Sequence, residues 1–345
     1  MFGVYAFSLL LALLTTGSLS DHVGRRPVIL GALALEVLSM LLFAEADGVA
    51  LLILARVLQG FATGVAASVL AAAMLDLDRA RGALVNSLSP VLGMAVGALG
   101  SSLLVQYAPA PMRLVYGVLL VLFVLQAIAA ARLPETVSRQ PGALAALWPR
   151  IRVPQAARAA LLRVAPLDIA VWALGGFYLS LGPTLARAVT GSDAVTTGGW
   201  VVFALTTSGA AAVWLLRAWA APALLRLGAL SLGAGLLVTL AGVHGSSAWV
   251  FFLGTLVAGV GFGTAFQGAL RSVLPLAAPH ERGGLMAAFY VLSYLAFSLP
   301  AILAGVLVHH TGLRATTDGY ACALLLLVLA TLAAGMARPR RVPDA

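Results

Sequence analysis

Two ionisable side chains stand in stretches that are otherwise almost wholly apolar. Glu36 lies nine residues beyond Pro27 in the run 27–44, and Arg56 lies seven residues into the run 49–75. At 1.5 Å per helical residue, Glu36 falls near the middle of its run and Arg56 about 10 Å from one end. A charge held in hydrocarbon is costly unless it is paired or watered, so both are candidates for binding a proton, an ion or a charged solute. Arg56 stays charged in any protein setting and can attract an anion or hold a nearby carboxylate ionised. It could equally serve as a structural donor to buried carbonyls. Glu36 could bind a proton, or it could be a neutral, hydrogen-bonded packing glutamate. The remaining charges sit at the ends of apolar runs. Asp21, Arg25 and Arg26 crowd the polar stretch Gly17–Pro27, and Asp76 and Asp78 follow the run 49–75. Asp168 and Arg271 read as boundary charges, and His309 and His310 as the outer end of a run.

The elements that must position these groups are membrane helices. The 345 residues are 61% hydrophobic and 10% charged, with mean hydropathy +1.03; globular domains are about 25% charged. Apolar runs fall at 2–18, 27–44, 49–75, 82–106, 113–132, 166–188, 197–216, 222–242, 248–275, 283–309 and 317–336, most of them near the roughly 20 residues that cross a bilayer core. The fold class expected is therefore all-α and polytopic, with about eleven transmembrane helices. If the first loop is cytoplasmic, seventeen of the 21 arginines fall in cytoplasmic segments and three (Arg113, Arg187, Arg314) outside. That asymmetry is the one the positive-inside rule demands, and it places the N-terminus outside and the C-terminus in the cytoplasm.

Several function classes drop out. The net charge of +9 is spread through short loops and forms no basic face, so no nucleic-acid partner is expected. No lysine is present, so no nucleotide loop of the form G-x-x-x-x-G-K-S/T can exist. The single cysteine, Cys322, excludes an internal disulfide and reads as a packing residue. Nothing has metal-ligand or catalytic spacing, so neither an enzyme nor a cofactor is expected. The start, Met1-Phe2-Gly3-Val4-Tyr5, has no basic residue before the apolar run and is expected to remain a helix.

An internal repeat runs at an offset of 201 residues: Gly60 maps to Gly261, Arg81 to Arg282, Gly82 to Gly283 and Leu84 to Leu285. Spans 49–75 and 82–106 are thus copies of 248–275 and 283–309, related without inversion. At the same offset, span 166–188 has its counterpart at −35 to −13, before Met1. A start codon placed too late is the favoured explanation, with a shortened protein as the alternative. Between the copies, 132–165 carries six arginines and four prolines and reads as a linker. Within it, 143–163 is either an amphipathic surface helix or a disordered tether.

The stretch Gly17-x-Leu19-x-Asp21-x-x-Gly24-Arg25-Arg26 resembles the loop signature G-x-L-x-D-x-x-G-R-R/K of the major facilitator superfamily. Arg56-Val57-Leu58-Gln59-Gly60 is similar to the R-x-x-Q-G of that family's fourth helix, and Leu133-Pro134-Glu135-Thr136 to the L-P-E-T after its sixth. Gly97-Ala98-Leu99-Gly100-Ser101, with Gly93 and a displaced Pro90, looks like a degraded exporter signature G-P-x-x-G-G. The resemblance implies that the eleven spans stand for family helices two to twelve. It divides the chain into a first bundle (1–131), a linker (132–165), a second bundle (166–336) and a tail (337–345). It assigns a latch to Gly17, Asp21, Gly24, Arg25, Arg26 and Asp76, in which the arginine pairs with the acid of the fourth helix and Asp21 docks near Gly283. It gives coupling or cavity roles to Arg56, Gln59 and Gly60, and helix packing to Gly93, Gly97 and Gly100. Trp172, Phe177, Tyr178, Phe262, Phe266, Gln267, Tyr290 and Tyr294 become candidates to line an aromatic cavity suited to amphiphilic organic solutes.

The function implied is secondary transport in the cell membrane by a multi-pass, monomeric protein whose partners are the lipid bilayer, a small-molecule substrate and protons. Proton-coupled efflux by alternating access is the leading form. Proton-coupled uptake of a metabolite and a truncated, non-transporting membrane protein are the alternatives.

Overall fold

In lipid the backbone can satisfy its own N–H and C=O groups only by coiling into helices or closing a barrel, and leucine- and alanine-rich runs of this length coil. The computed structural model describes residues 2–148, 151–278 and 281–336, and among these no strand occurs. The helices are α1 (Phe2–Thr16), α2 (Leu19–Val23), α3 (Arg25–Ala44), α4 (Val49–Leu77), α5 (Arg79–Tyr107), α6 (Pro111–Ala130) and the short α7 (Ala143–Ala146). They continue as α8 (Gln155–Ser180), α9 (Gly182–Thr190), α10 (Val195–Leu215), α11 (Ala221–His244), α12 (Ala248–Val273), α13 (Arg282–Thr311) and α14 (Leu313–Met336). Ten of them are long and apolar enough to cross a membrane; α1, with 15 residues, is shorter.

The helices follow the repeat. Adding 201 to α4 gives 250–278 and to α5 gives 280–308, which overlie α12 with its trailing 3-10 turn (Leu274–Leu276) and α13. The main departure lies before the second half. Helix α8 starts at Gln155, well ahead of residue 166, because Arg158 and Arg163 occupy an exposed face while Ala157, Val164 and Leu167 on the other face are buried. Mean hydropathy falls there although the helix continues. The same run then breaks at Leu181, and α9 restarts with Pro183 in its first turn. The surface helix expected over 143–163 does not form as one piece: α7 spans four residues, and a new helix starts after Pro154. Pro149, Arg150 and the tail 337–345 with its three arginines lie outside the described residues.

Within the first half α4 packs against α1 and α3, and α3 against α6. Within the second, α8 is wrapped by α12, α13 and α14, and α11 lies along α12. That last pair is held by two stripes of glycine at heptad spacing. On α11, a Cβ at Gly228, Gly235 or Gly242 would come within 2.3–2.6 Å of the backbone of Ala265, Ala258 or Phe251. On α12, Gly254 and Gly261 meet the backbone of Thr239 and Leu232 at 2.3 and 2.4 Å in the same sense. The seven-residue period keeps one face of each helix on the seam, and absent side chains let the backbones touch.

The halves meet along two seams, α1 with α13 and α5 with α10. At the second seam the structure corrects the expectation for Gly93, Gly97 and Gly100: a Cβ at any of them would meet nothing within 4 Å. The face of α5 that is buried carries Ala95 and Ser102, with Ala98 between them at helical spacing. The close approach is made by Gly199 of α10, whose Cβ would lie 2.0 Å from Ser102 Oγ. Cys322 is also corrected: it is exposed on α14, whose buried stripe runs through Ala321, Leu324 and Val328.

Candidate functional site

At one end of the molecule, the Gly17–Pro27 turn folds into a charge cluster. Helix α2 turns Asp21 toward Arg25, four residues on, and the two side chains pair at 2.5 Å. The Arg25 side chain is only 11% exposed and donates from Nε to Asp76 Oδ2 at 2.9 Å and from Nη1 to Ser20 Oγ at 2.6 Å. Asp76, at the end of α4, also accepts the Thr136 hydroxyl at 3.2 Å. The turn arginine therefore pairs with the acid of α4. Asp21, expected to dock at the start of α13, instead pairs with Arg25, because the helical turn sets the two one above the other.

Glu135 completes the cluster, a role that sequence reasoning missed although it had singled out Leu133–Thr136. Its carboxylate accepts the backbone N–H groups of Arg25 at 2.7 Å and Arg26 at 3.0 Å, two of the unpaired donors at the start of α3. It also accepts the N–H groups of Thr136 and Val137, at 3.1 and 3.2 Å. Partial burial pushes the Glu135 carboxyl up, but these four donors together hold it below the ordinary carboxylate value. Gly24 makes this possible. Its φ of +106° and ψ of 153° belong to a region that only glycine occupies freely, and a Cβ there would sit 2.6 Å from Glu135 Oε2. Arg26 lines a surface cavity of about 420 Å³ with Val23, Pro27, Leu30, Glu135 and Arg139. Gly17 ends the first helix, where a Cβ would press on the Leu13 carbonyl at 2.9 Å.

In the first half Arg56 lies with its guanidinium 5.1 Å from the centroid of the Phe43 ring and donates to Gln59 Oε1 at 2.9 Å. Among the described residues it forms no ion pair. Gly60, one residue past Gln59, brings α4 against α1, where a Cβ would be 2.3 Å from the Tyr5 carbonyl. Glu36 faces α4: it is 5% exposed, and Oε1 accepts the Thr63 hydroxyl at 2.7 Å while Oε2 has no partner.

The second-half candidates divide into two groups. Trp172 of α8 packs on Phe266 of α12 and on Tyr294 and Phe297 of α13, with centroids 5.1–5.9 Å apart, and Tyr290 extends the cluster 6.2 Å from Tyr294. Tyr178 and Phe262 lie elsewhere in the core. The Tyr178 hydroxyl is 3.0 Å from Thr255 Oγ1, and Phe262 covers Gly175. Gln267 is 9% exposed, with Oε1 unpartnered.

Asp168 is the clearest correction. It is fully buried, the fourteenth residue of α8, with Oδ2 2.8 Å from Ser293 Oγ and with the side chain of Trp172, one turn along, as its other polar neighbour; neither Oδ1 nor the indole N–H completes a hydrogen bond within 3.5 Å. Reading the span as starting at 166 put it at a membrane boundary. Arg271 does lie at a helix end, where it donates to the carbonyls of Arg217 and Trp219.

A comparison with curated proteins finds no sequence match. Among solved structures, the crystal structure of the human organic anion transporter MFSD10 (TETRAN) matches with a TM-score of 0.70 over 95% of this chain and 83% of that one. At 21% identity that likeness speaks to the fold. The family model described as Major Facilitator Superfamily matches residues 1–243, which contain the charge cluster, Arg56 and Asp168. The chain belongs to the major facilitator superfamily of membrane transporters.

Proposed function

We propose that the chain is a proton-coupled secondary transporter that exports a hydrophobic or amphiphilic organic solute by alternating access. In this reading the turn lies in the cytoplasm of a cell-membrane protein whose two halves rock about the α1/α13 and α5/α10 seams. The observation that carries the reading is the clustering of Trp172, Phe266, Tyr290 and Tyr294 from α8, α12 and α13, flat and largely apolar side chains of the kind that line sites for organic solutes. The cluster of Asp21, Arg25 and Asp76 would act as the latch that biases one of two conformations.

A second reading concerns solute charge. Arg56 forms no ion pair among the described residues, which favours an amphiphile bearing a carboxylate, and the structural neighbour is itself an organic anion transporter.

The test is flux into proteoliposomes under an imposed pH gradient, with paired fluorescent amphiphiles that differ only in charge. Gradient-dependent flux should appear, and it should be lost in Asp21→Asn while the thermal melt stays unchanged. Flux independent of the gradient, or an Asp21→Asn variant with full flux, would count against the proposal. Loss of the anionic but not the neutral solute in Arg56→Gln would select the second reading.

A further inference from the structure

The surroundings of Asp168 contain more acceptors than protons. Ser293 Oγ lies 2.8 Å from Asp168 Oδ2 and 3.0 Å from the Phe289 carbonyl oxygen, both at hydrogen-bond distance. A serine hydroxyl has one proton, so with an ionised Asp168 only one of these contacts can be a hydrogen bond. A protonated Asp168 supplies the missing donor: the carboxyl donates to Ser293 Oγ, and the serine donates to Phe289. The other carboxyl oxygen, Oδ1, is buried without a completed hydrogen bond; Trp172, one turn along α8, is the further polar neighbour of Asp168, and even a bond from its single N–H would leave this group of acceptors one proton short.

No cation answers the charge. Among the described residues Asp168 forms no ion pair; its side-chain neighbours are Ser293 of α13 and Trp172 of α8, with the Tyr290 phenol of α13 within electrostatic reach. Arg271 of α12 is bound to loop carbonyls. Arg158 and Arg163 of α8 itself, Arg187 of α9, and Arg282, His309 and His310 of α13 are exposed. On α14, Asp318 is paired with His244, Arg314 donates to the Val243 carbonyl, and the Tyr320 hydroxyl donates to the Ala173 carbonyl.

We propose that Asp168 is the proton-binding site of the second half, that the structure describes its proton-loaded form, and that Ser293 is the positioning residue that holds the proton between two oxygens. Release breaks the carboxyl O–H bond, leaves the electron pair on Asp168 and passes the proton to water. Water reaches it only when α8 and α13 part at the level of Ser293. Trp172, one turn along α8 and the polar neighbour of Asp168 on that helix, links this parting to the aromatic cluster. The proposal rests on the proton-coupled transport reading for its purpose, though not for its chemistry.

Infrared spectra of the purified chain in lipid nanodiscs test the chemistry without any solute. A protonated-carboxyl C=O stretch that shifts in deuterated water is expected, and Asp168→Asn, nearly isosteric, should remove it. Ser293→Ala should move the band to higher frequency without removing it, and Glu36→Gln should leave it untouched. In proteoliposomes Asp168→Asn should lose gradient-driven accumulation and keep solute counterflow. With Glu36→Gln as the background, so that the other buried carboxyl contributes nothing, a band that survives Asp168→Asn, or that ignores Ser293→Ala, overturns the site, as does an Asp168→Asn variant with full gradient-driven accumulation. If the band obeys these variants but the wild type moves no solute, the proton site stands and the transport reading falls.

Discussion

The two halves are built on the same repeat but cohere by different means. In the second, α11 and α12 touch backbone to backbone along Gly228, Gly235 and Gly242, and α8 threads the centre, where Leu167, Val171 and Leu174 are fully buried. In the first, large side chains on α5 and α6 such as Val96 (68% exposed), Val121 (58%) and Leu125 (56%) face outward. Its tightest polar constraint is the cluster at the turn, where Arg25, Asp76 and Glu135 tie α2, α3, α4 and the linker together. One half is therefore secured along its length by shape, and the other is pinned at one end by charge. The lesson is that a duplicated helix pattern fixes the path of the chain without fixing where its rigidity lies.

Substitutions can break that contrast, and the largest effect is expected where backbones touch. Gly235→Leu would drive a side chain into the backbone of Ala258, which a Cβ would already meet at 2.3 Å. It should cost about 3 kcal/mol, read as loss of the monodisperse species or a large fall in Tm. At the pinned end, Gly24→Ala forces alanine into φ +106° and against Glu135, and should cost about 2 kcal/mol in the same melt. Third is a pH effect. Because the folded Glu135 carboxyl titrates below its unfolded value, its contribution is present above that value, near 4.5, and is lost as pH falls through the folded value. Wild type should lose Tm over that window more steeply than Glu135→Gln. Smallest of all, Gly97→Ala has open space around its Cβ and should change stability by no more than about 0.5 kcal/mol. A large effect there would mean that α5 has a neighbour on that face and that the first half is also held by shape.

Much of this was legible in the sequence, and the failures have identifiable physical causes. Span positions, the Gly17–Pro27 turn and the pairing of Arg25 with Asp76 follow from hydropathy and the loop signature, because lipid leaves a chain few choices. Asp168 was misplaced because Arg158 and Arg163 depress mean hydropathy on a helix whose other face is buried. The glycines at 228, 235 and 242, facing 254 and 261, are a readable heptad signal, whereas the motif match falls on Gly93, Gly97 and Gly100, which face open space. A motif names residues that can allow close contact, whereas contact needs a second helix on that face. The capping by Glu135 could not be read at all, since it joins residues 110 positions apart through backbone donors that carry no side-chain signature.

The glycine seam between α11 and α12 has a mechanical consequence. Meshed backbones cannot slip by a fraction of a turn without atoms overlapping, and a slip of one whole repeat would carry each helix about 10 Å along its partner. The pair is thus a stiff double rod, unable to shear or to absorb a small displacement by creep. Any conformational cycle must move it as one piece, and spin labels placed one on each rod should keep a single narrow distance distribution in every state of the protein. A distribution that broadens or splits on cycling would show that the rod bends.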